Sequence, residues 1–533
     1  MERLQFIILE SSDVHGCVYP VNDADGTPKE AGLAKLATCI ARERLRGCPT
    51  LLVDNGDLLQ GAPLLYYYAR FDGRRRNPMA LAANAIGYDC AVFGNHEFNF
   101  GLDYLRRSVS DCTFPWLSAN ILDKTSGLPF FGTPYIIRDY PGALRVAVLG
   151  LTTKYVPIWE KPQHLTGLQF TDPVEAAGRW VPFLREEKHA DLVVVSYHGG
   201  FERRLDTGTP EGALTGENQG YELCVKVPEI DVLLTGHQHR LIEGVTVNGV
   251  PVVQPGCEGH CLGKVTLQLE RSAHRWQVSA ARSELLPVEG VSAARETLRL
   301  TAPYQRDCQT WLDQPLGRIN GDMRIHRPLG ARLSEHPMIE WMNRVQMRVS
   351  GADISLTALF SDRVPGLPAC VTMRDIMANY PYPNTLKVLR VSGADMRAAL
   401  ERSASYFTRT AGGAIVPSRT FTVPKIQHYN YDMWEGIDYV IDIGRPVGAR
   451  VTRLDYKGCP VDDLKTYEVV MNNYRAGGGG DYLMFRGCPV VREMTEDMSE
   501  LLAETLLREK IIQATADHNF LVVDGGEPVA LNE

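Results

Sequence analysis

From Leu4 to about Leu286 the chain repeats one pattern: a short run of Val, Ile and Leu, a turn containing Gly, and in places an amphipathic stretch such as Glu30 to Arg46. Short unbroken apolar runs mark strands buried on both faces, and the amphipathic stretches between them read as helices laid over a sheet. The runs that qualify are Leu4–Leu9, Thr50–Val53, Cys90–Phe93, Arg145–Leu149, Leu192–Ser196 and Val232–Thr235. Near Gly290 the pattern changes, and Ala293–Leu298 opens a helix-like segment that ends at the breaker Gln314-Pro315-Leu316-Gly317. Beyond it, a helix over Ser334–Met347 precedes short strands and turns, among them Leu386–Val391 and Tyr439–Ile443. The patterning predicts an α/β layered domain over residues 1–286, a linker helix over 287–314 and a second, α+β domain over 315–533.

Length agrees with that division, because 533 residues exceed the roughly 250 to 300 at which a single core stops growing. Net charge is -8, and the dense basic run Arg74-Arg75-Arg76, between Gly73 and Asn77-Pro78, reads as a solvated loop. Nucleic-acid polymers are therefore not expected partners. No stretch reaches the roughly 18 apolar residues that span a bilayer, so no membrane association is expected. The run Leu4–Leu9 is too short for a signal-peptide core with its cleavage site. The twelve cysteines include no Cys-x-x-Cys pair, and even the closest two, Cys257 and Cys261, read as thiols without a bridge or a metal. A reducing, cytoplasmic location is the expectation; oligomeric state is not legible.

The chemistry lies where the strands end. Asp13-Val14-His15 follows the first strand, Asp54-Asn55-Gly56-Asp57 the second, and Gly94-Asn95-His96-Glu97 the third. His198-Gly199-Gly200 follows the fifth and Gly236-His237-Gln238-His239 the sixth. Ligands of open α/β folds gather at the carboxyl ends of strands, so segments far apart in sequence can meet in one crevice. A two-metal hydrolase needs a bridging carboxylate and a mixed shell of imidazoles and hard oxygens. Asp57 suits the bridge, and the Asp-x-His and His-x-His spacings suit extended chain, where residues i and i+2 point the same way. Of thirteen histidines only His15, His96, His198, His237 and His239 join this pattern.

In this order the five segments resemble the calcineurin-like metallophosphoesterases. The whole chain is similar to the 5′-nucleotidase family, whose fold is a layered β-sandwich flanked by helices and joined to a nucleoside-binding α+β domain. The resemblance implies that Asp13, His15, Asp57 and His239 hold one divalent metal ion, and that Asp57, Asn95, His198 and His237 hold a second. It makes His96 the catalytic histidine, stabilising phosphoryl oxygens or protonating the leaving alkoxide. Two positions depart from the family pattern. Many members have Asp three residues after that histidine as its orienting partner, where Asn99 stands here; a neutral amide fixes the ring but balances an imidazolium less well. The exported UDP-sugar hydrolases have Gln where His239 stands. Both variants resemble the branch containing the 2′,3′-cyclic-nucleotide 2′-phosphodiesterase/3′-nucleotidases. Asp, Asn and His suit Mn, Zn, Co and Fe alike, so the metal identity stays open.

In the second domain, Tyr380-Pro381-Tyr382-Pro383-Asn384 and Asn472-Asn473-Tyr474-Arg475-Ala476 set flat rings beside the glycine run Gly477–Gly480. Such rings sandwich a nucleobase for about 1 to 3 kcal/mol per stack, although the same segments could simply pack and close a loop. The resemblance implies the clamp, with Tyr382 and Tyr474 on the base and Asn384 and Asn473 beside them. Where secreted 5′-nucleotidases carry a Gly-Gly-Ile-Arg-like segment, this chain has Ala358–Arg363, which counts against Arg363 holding a terminal 5′-phosphate. The segment His428–Gly436 is again similar to the cyclic-phosphodiesterase branch, and its aromatics read equally as core or pocket.

The expectation is hydrolysis of 2′,3′-cyclic nucleotides and nucleoside 3′-monophosphates by in-line attack on phosphorus. The nearest alternative is a 5′-nucleotidase or UDP-sugar hydrolase. An inactive nucleotide-binding sensor is the alternative of another class, and the complete set of candidate ligands argues against it. By resemblance the domains also swing about the linker near Gly290–Leu312.

Overall fold

The apolar runs of the first half feed two hydrophobic layers at once, which is why so few polar residues interrupt them. The computed structural model describes residues 2–72, 75–211, 214–272, 275–423, 425–494 and 496–529. These fall into two units, Met1–Gln309 and Thr310–Glu533.

In the first unit the leading strands are β1 (Arg3–Ser11), β2 (Thr50–Asp54), β3 (Cys90–Val92), β4 (Trp116–Leu117), β5 (Tyr135–Tyr140) and β6 (Leu144–Thr152). They are followed by β7 (Leu192–His198), β8 (Val232–Thr235), β9 (Leu241–Val247), β10 (Val250–Pro255), β11 (Cys261–Ser272) and β12 (Arg275–Pro287). One six-stranded sheet runs β12-β11-β1-β2-β3-β4 and the other β9-β10-β8-β7-β6-β5. Their facing sides share a core in which Phe6, Ile8, Leu51, Val53 and Val92 meet Val146, Val148, Val194 and Leu234. The alternate residues Ala147, Leu149, Val193, Val195 and Leu233 point the other way, beneath Ala177, Val181 and Leu184 of the helix Pro173–Glu186. A strand with a hydrophobic layer on each side has no polar face, so it reads as a continuous apolar run.

All six expected strands are present, and several run further. Arg145–Leu149 lies within β6, which continues to Thr152, and Leu192–Ser196 extends to His198. The hairpins β9–β10 and β11–β12 were not anticipated. β9 and β12 are largely exposed with isolated buried residues, and the buried start of β11 gives way to mixed exposure, so a search for continuous apolar runs passes over them. β11 pairs antiparallel with β1, whereas β2 pairs parallel with it, so the first sheet is mixed. The segment read as a linker forms the helix Arg295–Leu312, and its Tyr304 hydroxyl donates to the Arg76 carbonyl at 2.9 Å. In the basic run, Gly73 and Arg74 lie outside the described residues; Arg75 pairs with Asp72 and with Asp307.

The second unit is built on a five-stranded sheet in the order Asp432–Glu435, Ile354–Ala358, Thr466–Asn472, Leu386–Ser392 and Val490–Glu493. The helix foreseen over Ser334–Met347 spans Pro337–Ser350. The His336 side chain accepts the Met338 N–H at its start, Pro337 takes the first helical position, and Gly351 ends it in a left-handed conformation.

The loops after β2 and β3 press against each other. A Cβ placed on Gly94 would sit 2.2 Å from Asp57 Oδ1, 2.6 Å from the Asp57 nitrogen and 2.8 Å from His198 Cε1. Only hydrogen fits there, and Gly94→Ala must push the Asp57 loop away. The variant is expected to keep its far-ultraviolet circular dichroism while its affinity for divalent cations, measured by titration calorimetry, falls by roughly tenfold or more, the scale seen when support around a metal site is lost.

Candidate metal centre

Five of the candidate residues reach the centre through strained backbone. Asp13, His15, Asp57, His237 and His239 all have positive φ, from 51° to 66°. The extended geometry expected for Asp-x-His and His-x-His is thereby corrected: each chain turns through left-handed conformations straight after its strand. Non-glycine residues adopt this region at a cost, and they do so where surrounding structure holds them. That support is visible. Asp13 and His15 donate their backbone N–H groups to the carbonyls of Gly56 and Asp57, at 2.9 and 2.8 Å. The His237 N–H reaches Asp13 Oδ2 at 2.9 Å.

The side chains converge in two groups. In the first, Asp13 Oδ1 lies 3.3 Å from His239 Nε2 and 3.9 Å from His15 Nε2, and the two imidazole nitrogens are 3.1 Å apart. In the second, His198 Nε2 lies 3.2 Å from Asp57 Oδ2 and 3.2 Å from Asn95 Oδ1, which is itself 2.9 Å from His237 Nδ1. Asp57 Oδ2 is also 4.0 Å from His15 Nε2, so this one carboxylate faces both groups. Donors about 2.1 Å from a cation stand about 3 to 4 Å from one another, and the spacing here matches. Asp-His-His and Asp-Asn-His-His are mixed nitrogen and oxygen sets suited to divalent transition metals.

Three of the candidate imidazoles are oriented from behind, as ligating histidines generally are. His15 Nδ1 faces the Gln60 carbonyl at 3.1 Å and His198 Nδ1 the Asn55 carbonyl at 2.7 Å, which leaves both Nε2 atoms for the centre. His237 is turned the other way, with Nε2 against Glu217 Oε1 at 3.0 Å and Nδ1 inward. Its ring also lies nearly parallel to Trp159, with centroids 5.2 Å apart and planes at 28°.

Charge is arranged in the same direction. Burial pushes the Asp13 and Asp57 carboxyls upward, but His239 beside Asp13 and His198 beside Asp57 outweigh it and hold both as anions. Burial alone would make His198 neutral; Asp57 overrides this and raises it to about 10. Behind the donors, burial raises Glu10 and takes Asp54 to about 8, so Asp54 adds little negative charge near neutral pH.

His96 is next to the shared carboxylate. Its N–H donates to Asp57 Oδ1 at 2.8 Å, and its ring lies 5.1 Å from that of His15. Asn99 Oδ1 stands 2.7 Å from His96 Nδ1, the position the sequence assigns to its partner. Several residues with a part in this arrangement escaped the sequence reading. Glu97 belongs to the Gly-Asn-His-Glu segment and is fully buried. Its carboxylate accepts N–H groups from Asp57, Leu58, Leu59 and Gly94 at 2.7 to 3.0 Å, tying two strand ends together. Trp159, Glu160 and Glu217 come from segments after β6 and β7 that carry no recognisable motif.

In the second unit, the ring of Tyr429 lies 6.3 Å from those of Tyr382 and Tyr474, edge-on to both. Tyr429 comes from the segment read as core or pocket, and it is half-buried like the other two. A Cβ on Gly479 would enter the Tyr474 ring at 2.5 Å, which accounts for one glycine of the run. Asn473 Oδ1 accepts the Thr385 N–H at 3.1 Å and so joins the two tyrosine segments, and Asn384 is half-buried beside Thr385. Arg363 is exposed, and Asp362 next to it receives the buried Arg332 at 2.6 Å.

Residues 7–241 match the profile of the calcineurin-like phosphoesterases, which use divalent metal ions, and residues 315–487 that of the 5′-nucleotidase C-terminal domain. The chain is 30% identical to a 2′,3′-cyclic-nucleotide 2′-phosphodiesterase/3′-nucleotidase from Yersinia enterocolitica, covering 89% of this chain and 80% of that one. A crystal structure from Staphylococcus aureus, of a protein classed with the 5′-nucleotidases and bound to alpha-ketoglutarate, superposes with a TM-score of 0.89 at 36% identity. It covers 97% of this chain and 100% of that one. A 5′-nucleotidase precursor from Thermus thermophilus shares the fold with a TM-score of 0.68 at 22% identity, over 98% and 100% of the two chains. Two profiles in series, a relative similar over most of its length and paired donor groups at the strand ends place the chain in the 5′-nucleotidase family of metal-dependent phosphoesterases.

Proposed function

We propose that the protein hydrolyses 2′,3′-cyclic nucleotides and nucleoside 3′-monophosphates. The observation that carries the reaction class is Asp57, one carboxylate facing two groups of donors with His96 hydrogen-bonded to it. Asn99 in place of the family's aspartate and the similarity to the Yersinia enzyme support the cyclic substrate. In this reading Asp13, His15, His239 and Asp57 hold one divalent ion, and Asp57, Asn95, His198 and His237 the other. Bound there, the ions would supply Lewis-acid stabilisation of the charge that develops on phosphorus.

The protein's own groups do the rest. A water adds to phosphorus, the bond to the 2′ oxygen breaks, and that oxygen takes up a proton. His96, with Nδ1 held by Asn99, presents Nε2 to the reacting group and stabilises a phosphoryl oxygen or delivers that proton. Tyr382, Tyr429 and Tyr474 grip the base by its faces and edges, which favours no single base. All twelve cysteines are thiols rather than disulfides, which supports a reducing compartment. No helix among the described residues is long and apolar enough to cross a membrane.

A second reading, 5′-nucleotidase, is favoured by the 36% identity to the Staphylococcus aureus protein. A panel of 2′,3′-cyclic AMP, 3′-AMP, 5′-AMP and UDP-glucose with Mn²⁺, Co²⁺ or Zn²⁺ separates the two. The first two substrates are expected to turn over fastest, and rapid 5′-AMP hydrolysis without cyclic turnover would transfer the assignment. His96→Ala is expected to lower kcat by about 10² to 10⁴ with metal content unchanged, and Asp57→Ala to lose both rate and metal. Removing one stacking ring by Tyr429→Ala should raise KM roughly fivefold or more and leave kcat near the wild-type value, read from steady-state kinetics.

A further inference from the structure

Asn99 removes a negative charge from beside His96, and the fold puts one back a residue further out. The Asn99 amide is oriented by both neighbours. Its Oδ1 faces His96 Nδ1 at 2.7 Å, and its Nδ2 donates to Glu160 Oε2 at 2.6 Å. A carboxylate can only accept, so the amide nitrogen must face Glu160, the amide oxygen must face the ring, and His96 must carry its proton on Nδ1. Glu160 is buried and held in turn. Its Oε1 accepts the Lys161 N–H at 2.7 Å and lies 2.9 Å from His164 Nδ1. It directly follows the short helix Val156–Trp159 in the segment after β6, and the Trp159 of that helix stacks on His237.

We propose that Glu160 is a positioning residue for His96, acting through the Asn99 amide. It sets the tautomer and direction of the ring so that Nε2 is the atom turned to the reacting group. This rests on the reading of His96 as the group beside the phosphoryl oxygens. The buried carboxylate meets three donors, from Asn99, Lys161 and His164, and the chain of contacts is consistent only in one sense. If Glu160 becomes Gln, its oxygen can satisfy Lys161 and His164 only by turning its own NH₂ towards Asn99. Two amide NH₂ groups then face each other, Asn99 flips, and its NH₂ points at His96 Nδ1. That nitrogen must now accept, and the proton moves to Nε2.

The test exchanges the two groups in the whole chain. Glu160→Gln is isosteric and is expected to lower kcat for 2′,3′-cyclic AMP by about 10- to 100-fold, with KM changed by no more than about twofold. Asn99→Asp alone sets two carboxylates face to face and is expected to lose rate as well. In the double variant Asn99→Asp/Glu160→Gln, the carboxylate takes the His96 Nδ1–H directly and the amide introduced by Glu160→Gln closes the chain behind it. Its kcat is expected to return to within about threefold of wild type, because the coupling between neighbouring sites opposes the single losses. Bis(p-nitrophenyl) phosphate, whose leaving group needs no proton, should show the smaller losses if His96 acts as proton donor.

A second readout needs no turnover. Nitrogen-15 spectra of metal-free protein labelled at histidine should show His96 protonated on Nδ1 in the wild type and on Nε2 in the Glu160→Gln variant. Wild-type kcat in Glu160→Gln, a double variant no faster than that single variant, or an unchanged tautomer would each overturn the proposal. If the wild-type protein hydrolyses no cyclic nucleotide, the substrate assignment falls, and the tautomer measurement still decides the role of Glu160.

Discussion

The carboxylate of Asp57 is the point on which the first unit turns. One of its oxygens takes the His96 N–H, and the other faces His198 and His15. Its own N–H, with those of the next two residues, goes to the fully buried carboxylate of Glu97. Burial and the neighbouring Asp57 raise the Glu97 pKa, and His198 and the N–H groups counter only part of that rise. Hydrogen bonds to a charged acceptor contribute about 1.5 to 3 kcal/mol each, so several of them can hold a loop in a left-handed turn that it would otherwise leave. Gly94 completes the device, because any side chain there would occupy the place of the Asp57 carboxylate.

Strand order explains why these loops meet. β1, β2 and β3 are parallel neighbours in one sheet, and β7 and β8 are parallel neighbours in the other. Their carboxyl ends emerge at one edge of a core that is apolar on both sides. Polar groups gathered there keep contact with solvent and with each other, whereas the same groups one turn earlier would be buried without partners. β6 points the same way and carries no donor, yet its following segment brings Trp159 to His237 and Glu160 to Asn99. It supplies orientation in place of ligands.

The second unit holds its three half-buried tyrosines by simpler means. Arg475, fully buried, pairs with Asp432 at 2.6 Å and donates to the Tyr429 carbonyl at 3.0 Å, which anchors two of the three tyrosine segments to the sheet beneath them. The rings themselves stay half-buried. Rigid supports under partly exposed aromatics are what a site needs when it must accept flat groups of more than one kind.

Much of this was legible beforehand. Unbroken apolar runs marked the central strands because burial on both faces admits nothing else, and the candidate donors at their ends stood out because their types suit divalent cations. Partly exposed hairpins such as β11–β12 were missed because a half-exposed strand blurs into its turns. The left-handed turns at Asp13, His15, Asp57, His237 and His239 were misjudged as extended chain, because backbone conformation there is imposed by hydrogen bonds from other loops. Asn99 was visible as a departure, but Glu160 was not: it lies sixty-one residues away and shares no motif with His96. Local sequence determined which side chains could bind metal and which runs must be buried. Only the folded chain decided which nitrogen of each ring faces inward and where the missing charge is restored, since both depend on partners that are distant in sequence and adjacent in space.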